Sequence, residues 1–155
     1  MNARDLLYST EVTLTERPVS LSAVLRPSWR VPVTVLLVDA CRSKRARREQ
    51  LVVLNWAVRS AGATMALVQY VQGNGHPHDV GVRYEPALVR AVNLAVGAGL
   101  LTRADNAWVE VSSQGRKLLD LIREHGLYER ERECLGMLDK PLPFSTAENL
   151  LRGRP

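Results

Sequence analysis

The segment from Gly81 to Gly126 constrains the fold most, because its apolar spacing changes period twice within a short stretch. Pro86 stands where a helix can begin, since a first-turn proline gives up an N–H that would be unpaired there anyway. Leu88, Val89, Val92, Leu94, Ala95 and Val96 carry that helix to Gly97-Ala-Gly99. Leu100-Leu-Thr-Arg103 then reads as a strand and Ala104-Asp-Asn106 as a turn, because Asp and Asn accept tight turn geometry. Ala107-Trp-Val-Glu-Val111 alternates apolar with less apolar residues and reads as the returning strand. Ser112-Ser-Gln-Gly-Arg116 opens a further helix that continues through Leu118, Leu119 and Ile122 until Gly126. Val82-Arg-Tyr84 is read as a short strand ahead of the whole unit.

The flanking sequence is read as helical. Residues 1–28 form an irregular N-terminal segment with an extended piece at 19–25 between Pro18 and Pro27. A helix over 30–42, with Pro32 in its first turn, is apolar on nearly all sides; Val33, Val35 and Val38 also fit a strand, and periodicity alone does not separate the two. A basic turn follows, then a helix over 46–59 with Leu51, Leu54 and Val58 on one stripe, then a shorter one over 64–72. Residues 73–81 are a glycine-rich loop. Residues 127–155 are a C-terminal helical arm: a charged helix over 127–138, a break at Pro141 and Pro143, and a last helix for which Ser145-Thr-Ala-Glu148 fits a capping box. Such an arm either docks elsewhere or packs back on the domain.

The middle unit, taken as 29–126, resembles winged-helix regulators. The resemblance lies in Ala98-Gly-Leu-Leu-Thr-Arg103 and in Trp108 to Leu119, with Ser112-Ser-Gln-Gly-Arg116 opening the helix after the wing. The expected fold class is therefore mainly α with a small β-hairpin wing, winged helix-turn-helix-like. In a DNA-reading member, the helix before the wing enters the major groove and offers Arg, Lys, Asn or Gln to bases and phosphates. Here the helix over 86–98 has only Arg90 and Asn93 as strongly polar residues, and the wing adds Arg103 beside the acidic Asp105. A helix so apolar is expected to meet protein over most of its surface.

Charge is localised. Lys and Arg total 21 against 16 Asp and Glu, a net +5. Five cations, Arg42, Lys44, Arg45, Arg47 and Arg48, fall together, and without them the chain is neutral at 16 against 16. The cluster is a candidate for sequence-independent contact with phosphates, most simply a double-stranded DNA backbone. The plainer reading is a solvated turn whose cations complement a helix C-terminus. Aromatic residues are 5% of the chain, too few for an evident base-stacking platform. The apolar fraction of 46% supports a core without staples, and no apolar run approaches a membrane span. Cys41 and Cys134 lie far apart, as reduced thiols do, and the expected location is cytoplasmic.

No catalytic motif is present: no phosphate-binding glycine loop, no paired histidines at metalloprotease spacing, no nucleophile elbow. His76, His78 and Asp79 are metal-ligating residue types, but a glycine-rich loop would hold them loosely, so no metal and no cofactor are expected. Cys41 lies on an apolar helix and is read as a buried small residue despite its basic neighbours.

One further stretch, Leu51-Val-Val-Leu-Asn-Trp-Ala-Val-Arg-Ser60 after the basic turn, resembles the middle components of prokaryotic ABC-three-component systems, small proteins of Lamassu-like anti-phage defence. Asn55 and Trp56 are the matching positions. The resemblance implies a non-enzymatic adaptor subunit that links an ABC or SMC-like ATPase to an effector. Trp29, Asn55, Trp56 and Trp108 are then candidate protein-interface residues, while the plainer reading of the matching pair is structural, with Trp56 a core anchor and Asn55 a satisfied turn or cap partner. Arg42, Lys44, Arg45, Arg47, Arg48, Arg90 and Arg103 are candidate nucleic-acid contacts. The competing reading is a homodimeric winged-helix transcription regulator, with terminal helices pairing the subunits and Arg90, Asn93 and Arg103 on DNA.

Overall fold

A computed structural model describes Ser22 and residues 26–153. The proposed extended piece at 19–25 lies outside the described residues, Ser22 apart. In chain order the elements are α1 (Pro27–Asp39), β1 (Arg45–Ala46), α2 (Arg48–Ala57), α3 (Ala61–Val71), α4 (Pro86–Gly97), β2 (Leu101–Ala104), β3 (Trp108–Val111), α5 (Ser113–Glu124), α6 (Glu129–Gly136) and α7 (Phe144–Arg152). The molecule is thus mainly helical with a small antiparallel sheet in the order β1-β3-β2. Among the described residues no helix is long and apolar enough to cross a membrane.

Helix α1 is the axis of the core. Arg30 and every residue from Val33 to Val38 are buried, so it is enclosed on most sides, as its composition demands. It packs against α4, α2, α5, α6 and the strands β1 and β3. The strand alternative for 33–38 does not hold. The helix begins at Pro27, earlier than the expected residue 30, so Pro27 and Ser28 belong to it and not to an irregular segment. Pro32 consequently sits inside the helix and not in its first turn. An internal proline removes one backbone bond, to the carbonyl four residues earlier. That carbonyl, Ser28 O, instead accepts the Tyr128 hydroxyl at 2.9 Å.

The hairpin appears where the alternation placed it. Leu101 pairs with Val111 and Ala104 with Trp108 across β2 and β3, and Val109 and Val111 turn inward. The turn between them is a short 3-10 piece, Asp105–Ala107. Ser112 caps α5 by accepting the Gly115 N–H at 3.0 Å. Gly115 is required by contact: a Cβ there would lie 2.2 Å from the Leu100 carbonyl oxygen.

Several local expectations are corrected. The basic turn is partly strand: β1 joins the hairpin through Arg45↔Glu110 and Ala46↔Val109, making three strands instead of two. A strand of two residues leaves no periodicity to read. Val82-Arg-Tyr84 is not a strand: among the described residues no strand pairs with this segment. The last helix is capped by Pro143 and not by Ser145, which lies within α7; Glu148 pairs instead with Arg152 at 2.6 Å. The charged helix is also shorter than expected, 129–136, because Gly126 and Tyr128 both take left-handed conformations ahead of it. The C-terminal segment packs back onto the core: α7 lies on α2, burying Leu142, Ala147 and Leu150.

Candidate functional site

The entry to α4 is held by charge. Glu85, at its N-cap, receives Arg30 Nη2 at 2.5 Å, Asn55 Nδ2 at 3.1 Å and Arg59 Nη1 at 3.0 Å. A carboxylate at a helix N-terminus also meets the positive end of the helix dipole. The hydrogen bond from Arg30 is the main reason that the Glu85 carboxyl is held below the usual carboxylate range, against the opposing effect of its partial burial. Asn55 and Arg59 are about one helical turn apart in sequence, so both reach this acid, while Ser60 caps α3. Asn55 is buried, and Trp29 and Trp56 are half-buried against the core. Of these three interface candidates Asn55 is enclosed, while Trp29 and Trp56 keep part of their surface exposed. The sequence does not single out Glu85, because glutamate is not among the favoured N-cap residues and its partners Arg30, Asn55 and Arg59 lie far from it along the chain.

The outward side of α4 carries exposed Val89, Arg90, Asn93 and Leu94. Val89 and Leu94 are both more than 40% exposed. Asn93 is occupied: its Oδ1 accepts Arg103 Nη2 at 2.5 Å, tying α4 to β2. Beside it runs a groove of about 180 Å³ floored by Leu51, Val52, Leu88 and Val92. Its rim includes Tyr84, over which the Arg48 guanidinium lies at 5.0 Å.

The five clustered cations are not equivalent. Lys44 pairs with Asp39 at 3.3 Å, and Arg45 with Glu110 at 2.6 Å. Arg47 is sandwiched between the rings of Trp108, at 4.7 Å, and Phe144, at 4.5 Å. Arg45 also lies over Trp108, at 5.3 Å. Planar guanidinium groups suit such stacking, which holds α2, β3 and α7 together. Trp108 is thus half-buried beneath two arginines. Arg42 remains exposed on the rim of a cleft of about 680 Å³ between the outer face of the sheet and the segment leading into α7. Lys140 and Phe144, both at this cleft, had no local sequence signal linking them to the basic cluster.

Asp79 accepts the His76 backbone N–H at 3.1 Å, and among the described residues no group of three His, Cys, Asp or Glu is arranged to hold a metal ion. Burial pushes the Cys41 thiol up to about 12, so it stays protonated at neutral pH. The chain matches no family model, no curated protein and no solved structure.

Proposed function

We propose that the chain is a non-enzymatic adaptor subunit of winged-helix-like architecture. The observation that carries this reading is the outward face of α4: two large apolar side chains, Val89 and Leu94, flank an asparagine already bound to Arg103. A helix that reads bases presents unengaged donors and acceptors to the major groove. Apolar residues set beside Tyr84, Arg48 and Arg90 are instead the composition from which protein interfaces draw their binding energy. The element order supports the winged-helix-like reading, with α1, β1, α2, α4, β2 and β3 following that plan and α3 interposed. The resemblance of residues 51–60 to middle components of ABC-three-component systems supplies the partner class: a cytoplasmic ABC or SMC-like ATPase and an effector of prokaryotic defence.

The test is affinity purification of the tagged protein from its native host. A stoichiometric ABC or SMC-like ATPase is expected, and its loss on V89D together with L94D places the contact on α4. A lone homodimer protecting a discrete palindromic DNA fragment overturns the adaptor reading. It would favour the regulator, for which exposed Arg90 and Arg103 near the wing are the supporting observation.

A further inference from the structure

We infer that the cleft between the outer face of the sheet and the segment before α7 binds an acidic, apolar peptide segment of a partner protein. This rests on the adaptor reading and deepens it, giving the chain a second contact, away from α4, and naming the chemistry of what it holds.

The walls set the chemistry. Arg42, Arg45 and Lys140 bring positive charge to the cleft from two stretches far apart in the chain, and no acidic side chain lines it among the described residues. Glu110 compensates Arg45, so the net charge comes from exposed Arg42 and Lys140. Between these cations the lining is mainly apolar, from Trp108, Pro141, Pro143 and Phe144, with Ser43 and Gln50 as its uncharged polar groups. Its volume of about 680 Å³ is that of a site for several side chains.

Two features speak against nucleic acid as the occupant. Trp108 already carries two guanidinium groups, from Arg45 and Arg47, so its ring is engaged by cations and is no free platform for a base. Gln50, the amide at the cleft, has both ends engaged: its Oε1 accepts the Arg47 backbone N–H at 2.9 Å and its Nε2 donates to the Leu142 carbonyl at 2.8 Å. Its amide is therefore committed to the fold and not to a base edge. A phosphodiester backbone would use the cations and leave the apolar lining uncovered. A peptide alternating carboxylates with apolar side chains satisfies both, placing carboxylates on Arg42 and Lys140 and apolar groups against the prolines and Phe144.

The experiment is fluorescence anisotropy with a labelled peptide alternating Asp or Glu with Leu or Phe, titrated with the full chain. Saturable binding is expected, weakened about tenfold by R42E and again by K140E. Both residues are exposed, so these variants keep the fold; circular dichroism and thermal melting verify it. Absence of binding overturns the inference. So does equal affinity for an all-glutamate peptide, which would mean attraction by charge alone, or equal affinity for duplex DNA with the same loss in the variants. The V89D, L94D variant separates this inference from the adaptor reading: it should lose the ATPase yet bind the peptide normally. If the ATPase is retained by wild type while the peptide fails to bind, only the cleft assignment falls.

Discussion

The Tyr128 hydroxyl donates to the carbonyl of Ser28 at 2.9 Å, and Ser28 is the residue whose helical partner would have been the N–H that Pro32 lacks. A first-turn carbonyl that its own helix leaves without an N–H partner is taken up by a side chain 100 residues further along the chain. The arrangement also fixes the approach to α6, since Tyr128 is its N-cap and adopts a left-handed backbone. Replacing Tyr128 by Phe should cost about 0.5–1.5 kcal/mol in urea denaturation. In a Pro32→Ala background the cost should shrink, because the N–H that the substitution restores can take over the Ser28 carbonyl. Strict additivity of the two changes would show that the pair is not coupled.

Glu85 is expected to make the fold acid-sensitive. Its carboxyl is held below the ordinary range, chiefly by the hydrogen bond from Arg30. Its contribution is therefore complete above the carboxylate pKa of the unfolded chain. It is lost as pH falls through the lowered folded value. Glu85→Gln should lower stability at neutral pH by about 1–3 kcal/mol, since Arg30 is buried and would lose its charged partner. The gap between variant and wild type should close at low pH. A constant gap across an acid titration followed by circular dichroism would contradict this origin.

Gly115 is required by contact and not by backbone conformation. A Cβ there would meet the Leu100 carbonyl oxygen at 2.2 Å and Val111 Cγ1 at 2.9 Å. Alanine is ordinarily favoured over glycine within a helix by about 1 kcal/mol. Gly115→Ala should nevertheless destabilise, by about 1–3 kcal/mol, because strand and helix must separate to admit the methyl group. Thermal melting decides between the two signs.

Arg47 acts through its plane as well as its charge. Stacked between Trp108 and Phe144, it ties α2 to β3 and α7. Arg47→Ala should cost about 1–2 kcal/mol and loosen the C-terminal helix first, seen as faster amide exchange in α7 than in α1. Arg47→Lys keeps the charge without the planar group and should recover only part of the loss. Full recovery by lysine would mean that charge alone matters.

Cys41 should be inert while the protein is folded, because burial holds the thiol protonated up to about 12. In a Cys134→Ser background, a thiol reagent at neutral pH should label Cys41 only at the rate of unfolding. Immediate labelling in the native state would refute its enclosure.

Much of the fold is legible in short-range pattern. Alternation at 107–111 locates the hairpin, the 3.6-residue stripe at Leu51, Leu54 and Val58 locates α2, and the all-apolar run after Pro32 marks α1 as enclosed. Each error has a physical cause. β1 is too short to have a period, and the start of α1 is concealed by a proline whose missing bond is made good by Tyr128. Ser145-Thr-Ala-Glu148 has the letters of a capping box, but the chain enters α7 through Pro143. For β1 and α1 a partner distant in sequence decided the local conformation, and for α7 the neighbouring proline did.

The same division applies to the candidate sites. By itself the sequence determined that the chain builds a mainly helical core with a hairpin, that its excess charge is concentrated at residues 42–48, and that the helix before the hairpin is too apolar to be bathed wholly in water. These properties depend on composition and spacing along one stretch of chain. Only the tertiary structure decided how each cation is used. Asp39 and Glu110 pair with Lys44 and Arg45, while Trp108, Phe144 and Tyr84 receive Arg45, Arg47 and Arg48. It also brought Asn55 inward onto Glu85 and set Lys140 across a cleft from Arg42. Ion pairing and ring stacking act over a few ångströms in space, and the sequence separation between Arg47 and Phe144 carries no trace of that proximity.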